Sequence, residues 1–295
     1  MPVSARSSIE HCLTKALAPA GAPGHPPRLA AAVRHAVFPA GARIRPQLCL
    51  AVARACGMDD PELAQAAATA VELLHCASLV HDDLPCFDDA PIRRGQPSVQ
   101  RAFGERLAVL AGDALIVLAF QALASGAARS PHRLAALVAT LASGVGLPSG
   151  IAAGQAWESE PAVDLGRYHR AKTGALFVAS TMAGALAAGT DAEGWEPLGA
   201  CLGEAYQAAD DIRDVAGTPR WLGKPVGRDE ALARPSLARE HGVVAATRHF
   251  ERLIVEAERA VPDCASAASL RQLVRTEATR LIPRELADEL VASAT

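Results

Sequence analysis

Aromatic residues are scarce in this chain: two Tyr, three Trp and six Phe among 295 residues. Half of the residues are nevertheless apolar, so a core has to be filled by Ala, Leu and Val, which suits helices that approach closely. No sign of charge predominates, the formal net charge being -3. That balance gives no electrostatic basis for binding nucleic acid or an anionic membrane, and an anionic ligand would have to meet locally clustered cations. The seven cysteines, at positions 12, 49, 56, 76, 86, 201 and 264, are odd in number and include no C-x-x-C pair. Neither a zinc knuckle nor a closed disulfide framework is indicated, and they read as small core residues in a reducing compartment. Met1 to Glu10 lacks the basic-then-apolar order of an export signal, so a cytoplasmic location is expected. The most apolar run, Thr173 to Thr190, falls at the short end of what spans a bilayer; it reads as a buried core helix, and no integral membrane segment is expected.

Strand-like alternation is nearly absent, while apolar residues recur at helical spacing between Pro and Gly punctuation. The chain therefore reads as all-α. Breaks fall at Pro19 to Pro27, Pro39 to Gly41, Gly57 to Pro61, Ser125 to Pro131, Gly144 to Gly150 and Gly217 to Pro235. None has the composition of a flexible linker, so one domain over 1–295 is expected. The last break is long for a bare connection and carries Lys224, Arg228 and Asp229, which suits a functional flap.

Two aspartate-rich segments stand out, Asp82-Asp83-Leu84-Pro85-Cys86-Phe87-Asp88-Asp89 and Asp210-Asp211-Ile212-Arg213-Asp214. Each adjoins strongly apolar helical sequence. Gathering so many carboxylates is unfavourable unless cations neutralise them, and hard divalent cations take oxygen ligands of this type. The first motif ends a helix expected over Glu62 to Leu84, opened by Asp59-Asp60-Pro61 and stopped by Pro85. On that helix Val71, His75, Ser78 and Asp82 fall on one stripe. Asp88 would lie on another face were the helix to continue, so the break at Pro85 has to fold it back. In the second motif Asp210 and Asp214 are i, i+4 neighbours, about 6 Å apart at Cβ.

Cations cluster beside these acids. Arg93 and Arg94 offer guanidinium forks that match phosphate oxygens, and further candidates are Arg43, Arg45, Lys172 with Thr173, and Lys224. Singly, each is an ordinary surface charge. As a set they suggest two phosphate pockets, one bridged by metal and one held by arginine, with His75 placed to contact phosphate.

The order and spacing of Gly41 to Pro46, Glu72-Leu73-Leu74-His75, Ser78 to Asp89, Arg93-Arg94-Gly95, Leu110 to Leu115, Ala153-Gly154-Gln155, Lys172-Thr173-Gly174 and Tyr206 to Asp211 resemble the polyprenyl diphosphate synthases. The likeness is strongest to the bacterial geranylgeranyl diphosphate synthases of carotenoid and photosynthetic-pigment pathways. It implies the isoprenoid synthase fold, an orthogonal all-α helical bundle around a central cavity, in a homodimer. It also implies about three magnesium ions held by Asp82, Asp88 and Asp210, with Asp83 and Asp214 as further candidates. By the same mapping Arg93, Lys172, Thr173, Gln207 and Lys224 hold the allylic diphosphate, and Arg45, His75 and Arg94 hold isopentenyl diphosphate. The catalytic set expected from the resemblance is Asp82, Asp83, Asp88, Arg93, Lys172, Asp210 and Asp211. Ala77 and Ser78 line the path of the growing chain; both are small, which leaves room for a twenty-carbon tail.

Three positions depart from the family's pattern. Ala42 stands where many relatives carry lysine, Glu158 stands for the aspartate of G-G-Q-x-x-D, and Ala233 to Ser236 replaces a lysine-rich segment. Farnesyl diphosphate synthase is the alternative product class. A terpene cyclase would not need the Arg45, His75 and Arg94 set, and a silent modulating subunit would be expected to lack one aspartate motif.

Overall fold

The computed structural model describes residues 5–38, 41–216 and 236–282. Lys224, Arg228, Asp229 and the segment Gly217 to Pro235 lie outside them. Secondary structure among the described residues is helical apart from one pair of two-residue strands, as the missing strand-like alternation implies. Tertiary contacts group the chain into two compact units.

The first unit takes in Met1–Ala53, Gly57–Ala139 and Ala183–Thr190. It contains α1 (Ala5–Ala16), α2 (Pro27–Val37), most of α3 (Ile44–Ala55), α4 (Pro61–Asp82), the strands β1 (Ile92–Arg93) and β2 (Gln96–Pro97), α5 (Val99–Phe103) and α6 (Glu105–Gly126). Helix α4 begins where Asp60 accepts the Leu63 N–H at 3.2 Å, with Pro61 in its first turn, a start that sequence marks well. It ends at Asp82, two residues before the expected Leu84. The Leu84 N–H turns back to the His81 carbonyl, because the residue before Pro85 is driven out of helical geometry.

Helices α4 and α6 run antiparallel. A Cβ on Gly126 would meet Ala66, and one on Gly112 would overlap the His81 ring, so the two glycines set how closely the helices approach at either end. Both helices are long and apolar enough to cross a bilayer by length and composition, with 78% of the most apolar α4 window buried and 39% of that of α6. The exposed remainder of α6 includes Val109, Leu110 and Val117.

The second unit takes in Arg54–Cys56, Thr140–Met182 and Asp191–Thr295. It holds the end of α7 (Leu134–Val145), α8 (Ile151–Ala156), α9 (Leu165–His169), a π-helical turn over Arg170–Gly174, most of α10 (Ala175–Ala187), α11 (Glu196–Ala216), α12 (Leu237–His241), α13 (Val243–Arg259) and α14 (Ala267–Leu281). Ala205, Ala208, Ala209 and Ile212 on α11 pack with Ala246, Phe250 and Leu253 of α13 and Ala278 of α14, an Ala-rich seam of the kind the scarcity of aromatics requires. The apolar run from Thr173 becomes the last residues of the π turn followed by the thirteen-residue α10, with Leu176, Phe177, Ala179, Ala183, Ala185 and Ala187 buried. All seven cysteines are free thiols. Cys49 and Cys76 are buried, but Cys86 is exposed in the first aspartate loop, which corrects the expectation of uniformly core cysteines.

Candidate active site

In the first unit, the segment after α4 is a tight loop held by its own backbone. The N–H of Asp88 donates to the Asp82 carbonyl at 2.9 Å, Asp89 donates to Leu84, and Ala90 donates to Asp83. Asp88 is thereby brought back beside Asp82, as the proline break requires. The hairpin that follows pairs Ile92 with Pro97 and Arg93 with Gln96, leaving Arg94 and Gly95 as a two-residue turn, both at positive φ (52° and 76°). That is the turn whose twist matches paired strands, and it places Arg93 and Arg94 in succession.

The two neighbouring aspartates are not equivalent. Asp83 is buried and accepts from Arg93 through both carboxylate oxygens, at 3.0 and 3.2 Å from Nε and 2.5 Å from Nη2. Its carboxyl is raised above the usual range, since burial and the charges of Asp82 and Asp88 outweigh the Arg93 guanidinium. Asp82 keeps a side chain 17% exposed and lies 3.7 Å from Arg93 Nη2. Asp89 is turned toward α5, where Gln100 and Arg101 donate to it.

On α4, Ala77 is buried and Ser78 half-buried, with the Ser78 hydroxyl donating to the His75 carbonyl at 2.9 Å. Arg45 sits in the first turn of α3, 7% exposed. His75 is held well below the ordinary histidine value, first by burial and then by the guanidinium groups of Arg45, Arg94, Arg93 and Arg43. It is a neutral imidazole in a cationic surrounding at neutral pH. Arg43, which sequence grouped with Arg45, is turned inward. It is 2% exposed and bonded to Glu72, Glu10 and the Val37 carbonyl.

In the second unit, Lys172 and Thr173 lie in the π turn, a local distortion frequent at functional sites. Gly154 admits it, since a Cβ there would overlap the Lys172 backbone. Lys172 Nζ bonds Glu158, whose carboxylate also accepts from Tyr168 Oη at 2.6 Å and from Gln155 at 3.3 Å. The residue that departs from the family's pattern is thus the lysine's partner, a role that sequence did not assign. Thr173 Oγ1 donates to Gln207 Oε1 of α11 at 2.6 Å, Gln207 Nε2 donates to Asp211 at 2.8 Å, and Asp211 accepts the Leu237 N–H at 2.7 Å. Asp211 is buried and Asp214 is 5% exposed beside Arg239. Asp210, 33% exposed, is bonded by Arg213 at 3.0 Å.

Among the described residues, no three His, Cys, Asp or Glu side chains form a cluster that could enclose a metal ion. The carboxylates come in ones and twos. That donor set suits a small hard cation that keeps waters and arrives with an anionic oxygen ligand, so the residues fit such an ion bound together with a diphosphate.

An all-α chain with two aspartate motifs, each flanked by cations and polar donors, is built as an isoprenoid synthase. The polyprenyl synthetase family model matches residues 26–270, and the chain belongs to that family, the prenyltransferases of this fold. It is 53% identical to a geranylgeranyl diphosphate synthase from Cereibacter sphaeroides, over 95% of this chain and 97% of the relative. It is 49% identical to the enzyme of that name from Rhodobacter capsulatus, over 93% and 95%. Among solved structures it is similar to a geranyltransferase from Legionella pneumophila, with TM-score 0.79, 26% identity and 93% of both chains covered. A geranyltransferase from Helicobacter pylori complexed with magnesium and isoprenyl diphosphate has TM-score 0.77 and 27% identity, over 94% of this chain and 99% of that one.

Proposed function

We propose that the protein, as one catalytic domain, condenses isopentenyl diphosphate with an allylic diphosphate, farnesyl and also geranyl or dimethylallyl, to give geranylgeranyl diphosphate. The observation that carries this reading is the folded-back Asp82 and Asp88 loop beside Arg93 and Arg94, at the end of the helix bearing Ala77 and Ser78. The names of the two bacterial relatives support it.

Asp82, Asp88 and Asp210 are the carboxylates assigned to magnesium, about three ions by the resemblance. When bound, magnesium stabilises charge on the departing diphosphate as a Lewis acid. Asp83 and Asp214, each engaged by an arginine, serve in this reading to hold Arg93 and Arg239, while Asp211 holds Gln207. Arg93, Lys172, Thr173 and Gln207 donate to the allylic diphosphate, with Lys224 added from outside the described residues. Arg45, His75 and Arg94 bind isopentenyl diphosphate. Fixed donors around the leaving diphosphate favour cleavage of its bond to the allylic carbon. The double bond of isopentenyl diphosphate then attacks the cation, and the proton lost from the adduct passes to the released diphosphate. No side-chain nucleophile takes part, and the apolar wall at Ala77 protects the cation from water.

A cytoplasmic homodimer is the proposed form. The exposed Val109, Leu110 and Val117 on α6 support a second copy as the occupant of that face, and light scattering on the purified chain tests it; a monomer at micromolar concentration would oppose it.

Labelled isopentenyl diphosphate with each allylic starter, with and without magnesium, tests the reaction, and twenty-carbon product is expected. Accumulation that stops at fifteen carbons would overturn the chain-length assignment. Ser78→Phe is expected to shorten the product to fifteen carbons or fewer, with a loss of about 1–3 kcal/mol from overpacking. Unchanged product length would remove Ser78 from the tail's path.

A further inference from the structure

Glu72 lies on α4 in an otherwise apolar stretch and is 1% exposed. A carboxylate buried this deeply needs partners, and it has two arginines from different segments. Arg43 Nη1 donates to Glu72 Oε1 at 2.5 Å, and Arg94 Nη2 lies 3.5 Å from the same oxygen. Both arginines adopt left-handed backbone, at φ 55° and 52°. That conformation is uncommon for a residue with a long side chain and costs on the order of 1 kcal/mol or more unless the surroundings impose it. Arg43 and Arg94 are two of the four non-glycine residues at positive φ among the described residues, and both meet Glu72.

The rest of the cluster fixes the same geometry. Glu10 of α1 grips Arg43 at 2.9 and 3.3 Å, and the Val37 carbonyl accepts from it at 2.8 Å, so Arg43 is used up internally. The Arg94 guanidinium lies flat on Gly41, where any Cβ would come within 2.8 Å of it, and Nη1 rests 3.8 Å from Cys76 Sγ. Glu72 engages one edge of this fork, and a guanidinium has five donors.

We propose that Glu72 is the positioning residue of the isopentenyl diphosphate pocket: its one buried carboxylate, anchored by Arg43, sets the Arg94 guanidinium in place against Gly41. The inference rests on the assignment of Arg94 to that substrate. It also gives the inward Arg43 a function, as the cation that anchors the Glu72 carboxylate against which Arg94 rests. With alanine at position 42, Arg94 is one of few cations left to the pocket, so its placement carries more of the affinity.

The test is steady-state kinetics with each substrate varied separately, alongside thermal unfolding, on Glu72→Gln, Arg94→Ala and the double variant. Glu72→Gln is expected to raise KM for isopentenyl diphosphate about tenfold or more while leaving KM for the allylic diphosphate within about twofold. Because Glu72 acts through Arg94, the double variant is expected to match Arg94→Ala within about twofold, whereas independent effects would multiply. If Glu72→Gln does not fold, Glu72→Asp retains the charge but withdraws it from both arginines, and the same selective rise in KM is expected. Equal effects on both substrates, or a double variant in which the effects multiply, would overturn the inference. If Arg94→Ala leaves KM for isopentenyl diphosphate unchanged, the assignment of the pocket itself fails. A raised KM in Arg94→Ala with none in the Glu72 variants defeats the positioning role alone.

Discussion

The two aspartate pairs, Asp82 with Asp83 and Asp210 with Asp211, solve the same electrostatic problem with different partners. In each, the first residue keeps some exposure and the second is buried. Asp83 is matched by a full positive charge, the Arg93 guanidinium. Among the described residues, Asp211 accepts from the Gln207 amide and the Leu237 backbone N–H. A repeated motif therefore has two tasks inside it. In the proposed reading the outer carboxylate is kept for ligand chemistry, while the inner one sets a neighbouring donor, Arg93 in the first unit and Gln207 in the second.

The largest effect should come from the outer pair. Asp82→Ala and Asp210→Ala are each expected to lower turnover by roughly a thousandfold, about 4 kcal/mol of transition-state stabilisation, with little change in unfolding temperature. Turnover assays with magnesium titrated check this, and undiminished turnover in either variant would end the equivalence of the outer residues.

The inner pair should separate by stability. Asp83→Asn leaves Arg93 partly buried without its counter-charge and is expected to cost about 3 kcal/mol, the lower end for breaking a buried ion pair because Arg93 retains 28% exposure. Asp211→Asn keeps one acceptor for the Gln207 and Leu237 donors and is expected to cost about 1 kcal/mol. Urea unfolding of both variants decides it. Equal losses would mean that the partner's charge is irrelevant to the inner residue.

Much of this arrangement was legible beforehand because it depends on local rules. The Asp60-Pro61 start of α4, its stop before Pro85 and the return of Asp88 follow from capping and proline sterics, which act within a few residues. The division of labour inside each pair was not legible. Asp82 and Asp83 are neighbours in sequence, and which one is buried is fixed by Arg93, ten residues on and carried by a hairpin too short to register as strand alternation. Likewise Arg43 read as a surface cation beside Arg45, though Glu72 in the apolar run Ala70 to Leu74 was a signal: a lone carboxylate there requires a distant cation. Glu158 was read only as a departure from the family's pattern, because its bonds to Lys172 and Tyr168 depend on the π turn at Arg170–Gly174, which sequence periodicity does not show.

The smallest effect probes the charge contrast between the regions. Lys172 and Arg213 are each paired with a carboxylate, Glu158 and Asp210, and Arg93, Arg94 and Arg43 with Asp83 and Glu72, yet His75 lies in the combined field of Arg45, Arg94, Arg93 and Arg43. Its folded-state value lies well below the unfolded one of about 6.5, so the unfolded chain binds more protons over the interval between them. Stability should then be complete above about pH 6.5 and fall as the pH drops below it, with a limiting slope of about 1.4 kcal/mol per unit from this one group. His75→Gln is expected to remove that increment, seen as a shallower acid limb when unfolding free energy is followed from pH 7.5 to 5. Inorganic pyrophosphate should act in the same direction in the unaltered protein, because an anion among the arginines relieves the field and lets the imidazole take up a proton. Imidazole titration by NMR with and without pyrophosphate measures this. A His75 resonance that titrates near the ordinary value in the free protein would show that the first region carries no excess of positive field, and the contrast between the two would reduce to their aspartates.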